Sequence, residues 1–195
     1  MKRIFDIFFS ITVLSVLSPL FIVIFFTILI FQGRPILFKQ YRLGKGHVKF
    51  RIIKFCTMTN DKYENGELLP DKDRTTRLGK FLRTTSLDEL PGFWNVLKGE
   101  MSVVGPRPLP TQYKERYTFE QDRRHEIRPG VTGWAQINGR NNISWKKKFL
   151  LDIWYLDNQS FLLDLQIIFL TIYKVILRRN ITPENKNSVK DFLGD

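Results

Sequence analysis

One long apolar run near the start of the chain limits the possible folds more than any other feature. Residues 7–31 carry no charge and are strongly apolar, and as a straight helix they would be long enough to reach across a bilayer. Ser18 and Pro19 stand in the middle of this run. Proline removes one helical hydrogen bond and clashes with the preceding turn, while a neighbouring serine can satisfy backbone groups freed in lipid. The sequence therefore predicts a helix that is kinked or broken at Ser18-Pro19.

Positive charge flanks both ends of the apolar run. Lys2 and Arg3 precede it, and residues 32–58 contain seven Lys or Arg and no acidic residue. Because positively charged flanks favour the cytoplasmic side, both ends are predicted on one face of the membrane, as a re-entrant helix forming a domain of residues 1–33. The run is too long for a cleaved signal peptide, and no small-x-small cleavage site follows it. A simple spanning helix stays open as the alternative.

The overall composition narrows the partners. A chain of 195 residues can form one domain with a real core. Its formal net charge of +12 indicates anionic partners, namely nucleic acid, phosphorylated small molecules or acidic lipid. The single cysteine, Cys56, excludes an internal disulfide and a cysteine-based zinc site. With only two histidines, His47 and His125, the sequence also argues against a histidine-rich metal site.

An acid pair stands at the centre of residues 82–108. Ser86 and Glu89 have the spacing of a helix capping box, which predicts a helix over residues 87–98 with Asp88 and Glu89 in its first turn. There the helix dipole would keep both carboxylates ionised, although Pro91 removes one donor early in that helix. Cations flank the pair on both sides, at Arg74, Arg77, Lys80, Arg83 and Arg107. Two carboxylates among cations suit a divalent metal and a phosphorylated substrate; a capped surface helix with ordinary acids is the other interpretation.

Two short strands are predicted ahead of this stretch. Residues 36–42 and 48–55 flank the turn LGKGH. By alternation Val48, Phe50 and Ile52 share one face, and Lys54 falls on that same face. A lysine there either extends its amine to solvent or meets an anion, and the anion is the interpretation favoured here.

A charged helix over residues 111–125 is predicted to lead into a loop, residues 127–141, that is rich in Gly, Pro and Asn. Such loops bring backbone donors close to ligands, and His125, Arg128 and Arg140 bracket this one. Tight turns under a solvated basic face are the alternative.

Two helices are predicted in the last third of the chain, over residues 144–157 and 161–179. In the second helix Asp164, Thr171, Lys174 and Arg178 line one narrow polar stripe, and almost everything else is apolar. That pattern favours a helix lying in the membrane interface, with a spanning or a core helix as alternatives. The tail, residues 183–195, is polar.

Three segments together resemble one family. They read FKQYRLGKGHVKFRIIKFCTM, RTTSLDELPGFWNVLKGEMSVVGPRP and RHEIRPGVTGWAQINGRNNISWKKKFLLDIWYLDNQSFLLDL. In this order they resemble the monotopic polyprenyl-phosphate phosphoglycosyl transferases, the bacterial sugar transferase family, in the short form of the enzyme that starts bacterial N-linked glycans. The resemblance implies a mostly helical α+β fold with a re-entrant helix, a short β-hairpin, and a compact catalytic domain, residues 34–182, with interfacial amphipathic helices.

The family resemblance also implies an activity and its partners. Family members move a sugar 1-phosphate from a UDP-sugar to undecaprenyl phosphate and release UMP, as the first membrane step of glycoconjugate assembly such as exopolysaccharide or lipopolysaccharide. Asp88 would be the nucleophile that forms a phosphosugar-aspartyl intermediate, and Asp88 with Glu89 would contact Mg²⁺. The expected location is the cytoplasmic face of the bacterial inner membrane, in contact with membrane lipid. No nucleic-acid partner is expected because aromatic and basic residues are not interleaved, and a homo-oligomer is left open.

The remaining site candidates are ranked by charge and position. Arg107 is the first choice for phosphate contact and Lys54 the second, and the further candidates are Asp164, His125, Arg128 and Arg140. The chain departs from the family pattern at Cys56, where a basic residue is usual, and at Gly92-Phe93-Trp94, where a Gln-Leu pair is usual. The competing hypotheses are a membrane-anchored module that binds anionic ligands, and a metal-dependent phosphohydrolase acting on the same site.

Overall fold

The structure is a computed structural model of the 195-residue chain, and it describes residues 1–61, 63, 66–67, 69–139, 142–177 and 191–194. Within these ranges the helices are α1 (Lys2–Val16), α2 (Ser18–Phe31), α3 (Asp71–Arg74), α4 (Arg77–Thr84), α5 (Gly92–Lys98), α6 (Phe119–Asp122), α7 (Trp134–Ile137), α8 (Trp145–Asp157) and α9 (Phe161–Ile176). The strands are β1 (Leu37–Leu43), β2 (Lys49–Phe55), β3 (Ser102–Val104) and β4 (Gly130–Thr132). The predicted site residue Arg140, the stripe residue Arg178 and most of the predicted tail lie outside the described residues.

The apolar run is broken where the sequence predicts. Helix α1 ends at Val16, α2 begins at Ser18, and the two axes are bent by 61°. Pro19 lies in the first turn of α2, where its missing N–H is not needed by the helix, and the Ser18 hydroxyl donates to the Ser15 carbonyl at 2.8 Å. Among the described residues no single helix is long and apolar enough to cross a membrane, whereas the bent pair together passes that test by length and composition.

Helix α1 docks onto the rest of the molecule through its polar residues. Arg3 donates to the backbone carbonyls of Val96 and Leu97 at the end of α5, at 2.5 and 2.8 Å. The buried carboxylate of Asp6 accepts hydrogen bonds from the Ser102 hydroxyl and the Val103 amide, both at 3.0 Å. The positive flank of the run therefore also serves as a structural anchor, and the boundary after residue 33 stays a prediction.

The other end of the bent pair is anchored as well. Gln32 follows α2, and its side-chain amide donates to the Met58 carbonyl at 2.9 Å. Its amide oxygen accepts from the Thr76 hydroxyl at 3.1 Å. The start of α1 and the end of α2 are thus both hydrogen-bonded to the part of the protein that follows α2.

The predicted hairpin is confirmed. Strands β1 and β2 pair antiparallel from Leu37 opposite Phe55 to Leu43 opposite Lys49. Phe50 and Ile52 are buried on the predicted face of β2. Val48 was predicted to share that face but is exposed, because it ends the turn before the strand begins.

A second, parallel sheet was not predicted: β4 lies within the predicted loop of residues 127–141, and β3 follows α5. Strands β3 and β4 pair from Ser102 opposite Gly130 to Val104 opposite Thr132. A Cβ atom on Gly130 would lie 2.1 Å from the Gly105 amide nitrogen, so the two backbones can approach only because both residues are glycine. This contact fixes the GPRP segment, residues 105–108, against the glycine-rich loop.

The charged helix predicted over residues 111–125 is wrong in detail. The chain forms a 3₁₀ helix at Thr111–Arg116, then α6, then a 3₁₀ turn at Arg123–Glu126. The cause is a capping box in which Thr118 accepts from the Gln121 amide and the Gln121 side chain accepts from the Thr118 amide. That box starts a new helix in the middle of the predicted one.

The two predicted C-terminal helices are present as α8 and α9. The polar stripe of α9 faces the protein: Asp164 is buried, Thr171 bonds Thr132 through their hydroxyls at 2.7 Å, and Lys174 donates to the Ile137 carbonyl. The opposite face of α9 is exposed and apolar, at Phe161, Leu162, Leu165, Phe169, Ile172 and Ile176. This arrangement agrees with an amphipathic helix whose broad face needs an apolar environment.

Candidate active site

The acid pair lies on a 3₁₀ turn rather than at the start of a long helix. The predicted capping box is wrong, because Ser86 makes no side-chain cap and its backbone is left-handed at φ 56°. A continuous helix over residues 87–98 would need the amide of residue 91 to bond the Leu87 carbonyl, and Pro91 has no amide hydrogen. The chain instead forms the 3₁₀ turn Leu87–Glu89 and restarts as α5 at Gly92.

The buried side chain of Asn95 fixes α5 against strand β2. Its amide donates to the Arg51 carbonyl at 2.8 Å and to Glu100 at 2.6 Å, and its oxygen accepts from the Ile53 amide at 3.0 Å. These bonds satisfy backbone groups on the open edge of β2. They also set the position of the acid pair relative to Lys54, the next residue along that strand.

Glu89 is held by two cations. Its Oε1 atom lies 2.6 Å from Lys54 Nζ and 2.8 Å from an Arg107 guanidinium nitrogen. Burial alone would raise the pKa of Glu89, but the charges of Arg107 and Lys54 and their hydrogen bonds outweigh it and hold the pKa well below its usual range. The prediction that Lys54 meets an anion is confirmed, and the anion is this carboxylate.

Asp88 shows the opposite behaviour. Its side chain is buried, and within the described part of the chain no side chain hydrogen-bonds to its carboxylate. Burial and the charge of Glu89 raise its pKa to about 6, against the opposing effects of Lys54, Arg107 and Arg83. The expected lowering of the pKa by a helix N-terminus is therefore absent at Asp88, although its carboxylate stays ionised at neutral pH. A desolvated carboxylate that is still mostly ionised at neutral pH can act as a nucleophile.

A small cleft of about 80 Å³ opens beside Glu89; Asp88 precedes Glu89 in the chain but is not among the residues that line the cleft. Its polar lining comes from Arg42, Lys54, Glu89 and Arg107, and Gly92 and Gly130 form part of its wall. Burial and the neighbouring Arg107 lower the pKa of Arg42 to about 10. Its Nε atom is buried and has no hydrogen-bond partner among the described residues.

Arg42 was not predicted as a site residue, although it belongs to the acid-free basic run and is adjacent to the turn that ends β1. Its half-buried guanidinium at the cleft is suited to an anionic ligand such as phosphate.

The other predicted site residues lie elsewhere. Asp164 is buried against Lys2 and Tyr155, at 2.5 Å from each partner atom. Arg128 is exposed and donates to the Gly99 carbonyl at 2.8 Å, beyond the end of α5. His125 is buried beside Asp122 and His47, and burial lowers its pKa to about 4. None of Asp164, Arg128 and His125 lines the cleft.

The departures from the family pattern do not disturb the acid pair. Cys56 is buried, and its thiol lies 3.3 Å from the Met58 carbonyl. Phe93 is buried and packs against Phe9 of α1, whereas Trp94 is half exposed. Hard divalent cations prefer carboxylate oxygens, and Asp88 offers a carboxylate with no ion pair among the described residues, whereas Oε1 of Glu89 is already shared by Lys54 and Arg107.

The chain is similar in sequence to known bacterial sugar transferases. A family model described as bacterial sugar transferase matches residues 1–178. The uncharacterized sugar transferase EpsL of Bacillus subtilis is 49% identical over 197 residues, which cover 100% of this chain and 96% of that relative.

Two larger relatives carry more specific names. The UDP-galactose-lipid carrier transferase of Erwinia amylovora is 38% identical, and the UDP-glucose:undecaprenyl-phosphate glucose-1-phosphate transferase of Klebsiella pneumoniae is 39% identical. Each match covers 92% of this chain but only 41% of the relative. The match to the family model over nearly the whole chain is decisive, and the chain belongs to the bacterial sugar transferase family.

Proposed function

We propose that this protein transfers a sugar 1-phosphate from a UDP-sugar to undecaprenyl phosphate and releases UMP. The observation that carries the proposal is the pairing of a buried, unneutralised carboxylate, Asp88, with a carboxylate held by two cations, Glu89, at a cleft lined by arginine and lysine. The names of the relatives from Erwinia amylovora and Klebsiella pneumoniae support the donor and acceptor classes.

The chemistry proceeds in two displacements at one phosphorus atom. An Asp88 carboxylate oxygen attacks the sugar-linked phosphorus, the bond from that phosphorus to the bridging oxygen breaks, and UMP leaves with the electron pair. The resulting acyl phosphate carries the sugar. A phosphate oxygen of undecaprenyl phosphate then attacks the same phosphorus, the acyl phosphate bond breaks, and Asp88 is regenerated. Splitting the reaction in this way replaces one difficult step by two easier ones.

The cations of the cleft stabilise the charge that develops on the phosphoryl oxygens. Arg107 uses part of its guanidinium on Glu89 and keeps further N–H donors, while Arg42 brings its half-buried guanidinium to the cleft. Asp88 and Glu89 would hold Mg²⁺, which would supply further neutralisation of the diphosphate.

The architecture supports a location at the inner membrane with the cleft on the cytoplasmic face. Helices α1 and α2 have 15 and 14 residues, so each is about 21–23 Å long, short of the roughly 30 Å hydrocarbon core. Both ends of the bent pair are bonded to the same body. A pair with anchored ends and exposed apolar sides is suited to enter and leave the membrane by one face, with α9 lying in the interface.

The test uses purified full-length protein in detergent with a panel of UDP-sugars, undecaprenyl phosphate and Mg²⁺, and it measures UMP release and the lipid product. We expect turnover that requires all three additions. Asp88→Asn should reduce UMP release at least about 10³-fold, while Asp157→Asn, an exposed acid paired with Arg123, should retain it.

The alternatives give different products. Release of free sugar phosphate without a lipid product would indicate a phosphohydrolase, and salt-sensitive binding without turnover would indicate a binding module. Full activity in Asp88→Asn would exclude the aspartyl intermediate as assigned.

A further inference from the structure

Both histidines of the chain meet at one place away from the cleft. His47 comes from the turn between β1 and β2, and His125 from the 3₁₀ turn Arg123–Glu126, yet their ring centroids are 4.5 Å apart. Asp122 lies between them. Its Oδ1 atom is 2.7 Å from His47 Nε2 and 3.2 Å from His125 Nδ1, and one donor atom from each of the three residues falls within 4.8 Å of the others.

From this geometry we propose that His47, Asp122 and His125 bind a first-row divalent metal ion of the zinc class, at a site separate from the acid pair.

The donor set favours zinc over magnesium. Imidazole nitrogen suits Zn²⁺, Cu²⁺ and Ni²⁺, whereas Mg²⁺ requires oxygen ligands. Two imidazoles and one carboxylate make three protein ligands, which leaves a fourth position for water. A tetrahedral Zn²⁺ at about 2.0–2.2 Å from each ligand holds its donors about 3.3 Å apart. The two donor distances to Asp122, 2.7 and 3.2 Å, and the upper limit of 4.8 Å for the whole set bracket that value.

The charges around the cluster are compatible with a cation. Arg124, the nearest guanidinium along the chain, is neutralised by the buried carboxylate of Asp152 at 2.8 Å. Arg123 is paired with Glu120, Glu126 and Asp157. No described lysine or arginine forms a salt bridge with Asp122 itself, so its carboxylate is available to a metal.

The backbone of His47 gives an independent reason to assign it a role. Its φ of 62° lies in the left-handed region, which a non-glycine residue adopts at an energetic cost. That conformation helps direct the ring toward Asp122 and His125, across 75 residues of sequence.

A metal at this site would connect two segments that flank the cleft. The turn Lys45–His47 follows β1, whose Arg42 lines the cleft. Arg124, which precedes His125, donates to the Arg107 carbonyl at 2.7 Å. Because the ion would join these segments in the folded state only, its binding should raise the thermal stability.

The experiment measures metal binding directly and does not depend on transferase activity. Tag-free full-length protein in detergent is stripped with a chelator and titrated with Co²⁺, whose visible absorption reports nitrogen and oxygen coordination, and Zn²⁺ is then used to displace it. With Mg²⁺ in excess to occupy the acid pair, we expect one equivalent of Co²⁺ to bind, with a rise in melting temperature. His47→Ala and His125→Ala should each weaken binding by more than the roughly 10–100-fold that loss of an outer-shell partner costs.

Matched controls separate this site from other ligands. Glu126→Gln, in the same 3₁₀ turn, Cys56→Ser, at the only thiol, and Asp88→Asn, at the acid pair, should leave the Co²⁺ affinity within about twofold. Absence of stoichiometric binding, or binding that persists in the variant lacking both histidines, would overturn the proposal. The proposal would also be overturned if Asp88→Asn lost Co²⁺ binding while His47→Ala kept it, because the metal would then be assigned to the acid pair.

Discussion

At the residue scale, two adjacent carboxyl groups have pKa values that are displaced in opposite directions. The pKa of Glu89 is lowered because two cations bond to one of its carboxylate oxygens. The pKa of Asp88 is raised because its side chain is buried and lies beside the negative charge of Glu89. Environments that separate the pKa values of paired acids are typical of sites where the two acids have different roles. The pattern supports Asp88 as the reacting group and Glu89 as the group that organises the cations.

The role of Arg107 can be tested against a second arginine of the chain. Arg107→Gln should lower kcat/KM for the UDP-sugar by about 10²–10³-fold, as removal of one preorganised donor typically does. Arg128→Gln should change it by less than about threefold, because Arg128 is exposed and caps the Gly99 carbonyl. Steady-state UMP release measures both, and an equal loss in the two variants would contradict the assignment of Arg107 to the phosphate.

The raised pKa of Asp88 predicts a gain in stability when the charge is removed. Its pKa is 3.8 in the unfolded reference and about 6 in the fold, so ionised Asp88 destabilises the native state by at most about 3 kcal/mol. The native state binds the extra proton between about pH 4 and 6, and stability from this group therefore falls as pH rises through that window. In the presence of a chelator, Asp88→Asn should have a higher melting temperature than the wild type at pH 7.5. The two melting temperatures should become equal near pH 4.

Glu89→Gln is the opposite control for that measurement. Because the pKa of Glu89 is lowered in the fold, its ionised form stabilises the native state above the unfolded pKa, and this stabilisation is lost on acidification. The variant should melt below the wild type at pH 7.5. Equal shifts in the same direction for both variants would contradict the assigned electrostatics.

At this scale the sequence pattern predicted the acid pair, Lys54 and Arg107, because charged residues around two carboxylates are visible in one dimension. It did not predict Arg42 or the meeting of His47 with His125. The histidine contact depends on how the hairpin turn packs against the 3₁₀ turn Arg123–Glu126, and no local sequence pattern predicts contact between segments so far apart in the chain.

At the scale of elements, helices with long apolar periodicity were predicted well and short elements were not. Helices α8 and α9 begin where Ser144 and Ser160 cap them. Strands β3 and β4 have three residues each, which is too few for alternation to be recognised. The pairing of β3 with β4 depends on the close contact between Gly105 and Gly130. The break before α5 is a separate feature, and it depends on Pro91.

Helix α9 also supplies a prediction about Asp164. Its carboxylate accepts hydrogen bonds from Lys2 and Tyr155, each at 2.5 Å, and thereby joins α9 to α1 and α8. Asp164→Asn should lower the free energy of unfolding by about 2 kcal/mol through loss of charged hydrogen bonds, while folded protein keeps its kcat within about threefold. Thermal melts and UMP release check both parts.

Tyr155→Phe removes one of the same hydrogen bonds and should give a smaller loss of stability. Asp164→Asn with an unchanged melting temperature and no turnover would instead assign Asp164 to the substrate.

At the scale of the whole molecule, the proposed re-entrant arrangement of the bent helix pair can be tested by labelling its two ends. In a Cys56→Ser background, single cysteines are placed at Arg34 and in a short N-terminal extension. A membrane-impermeant maleimide should label both in inside-out vesicles and neither in intact spheroplasts. Val16→Cys, at the bend, should be protected in both preparations.

Labelling of the two ends from opposite sides would establish a spanning helix instead. The sequence shows the positive flanks directly and predicts the break between the two helices. It could not show that Arg3 and Gln32 bond to the same body, which is the contact that argues most directly for re-entry.

The anchoring of both ends of the bent pair has a kinetic consequence. In the proposed function the protein would stay at one leaflet and would meet its lipid acceptor by diffusion in two dimensions, while the nucleotide sugar would arrive from bulk solution in three. The rate should therefore follow the mole fraction of undecaprenyl phosphate in the bilayer rather than its concentration in the sample. Adding inert phospholipid at a constant total amount of acceptor would slow the reaction, whereas the dependence on the UDP-sugar would stay an ordinary function of its bulk concentration.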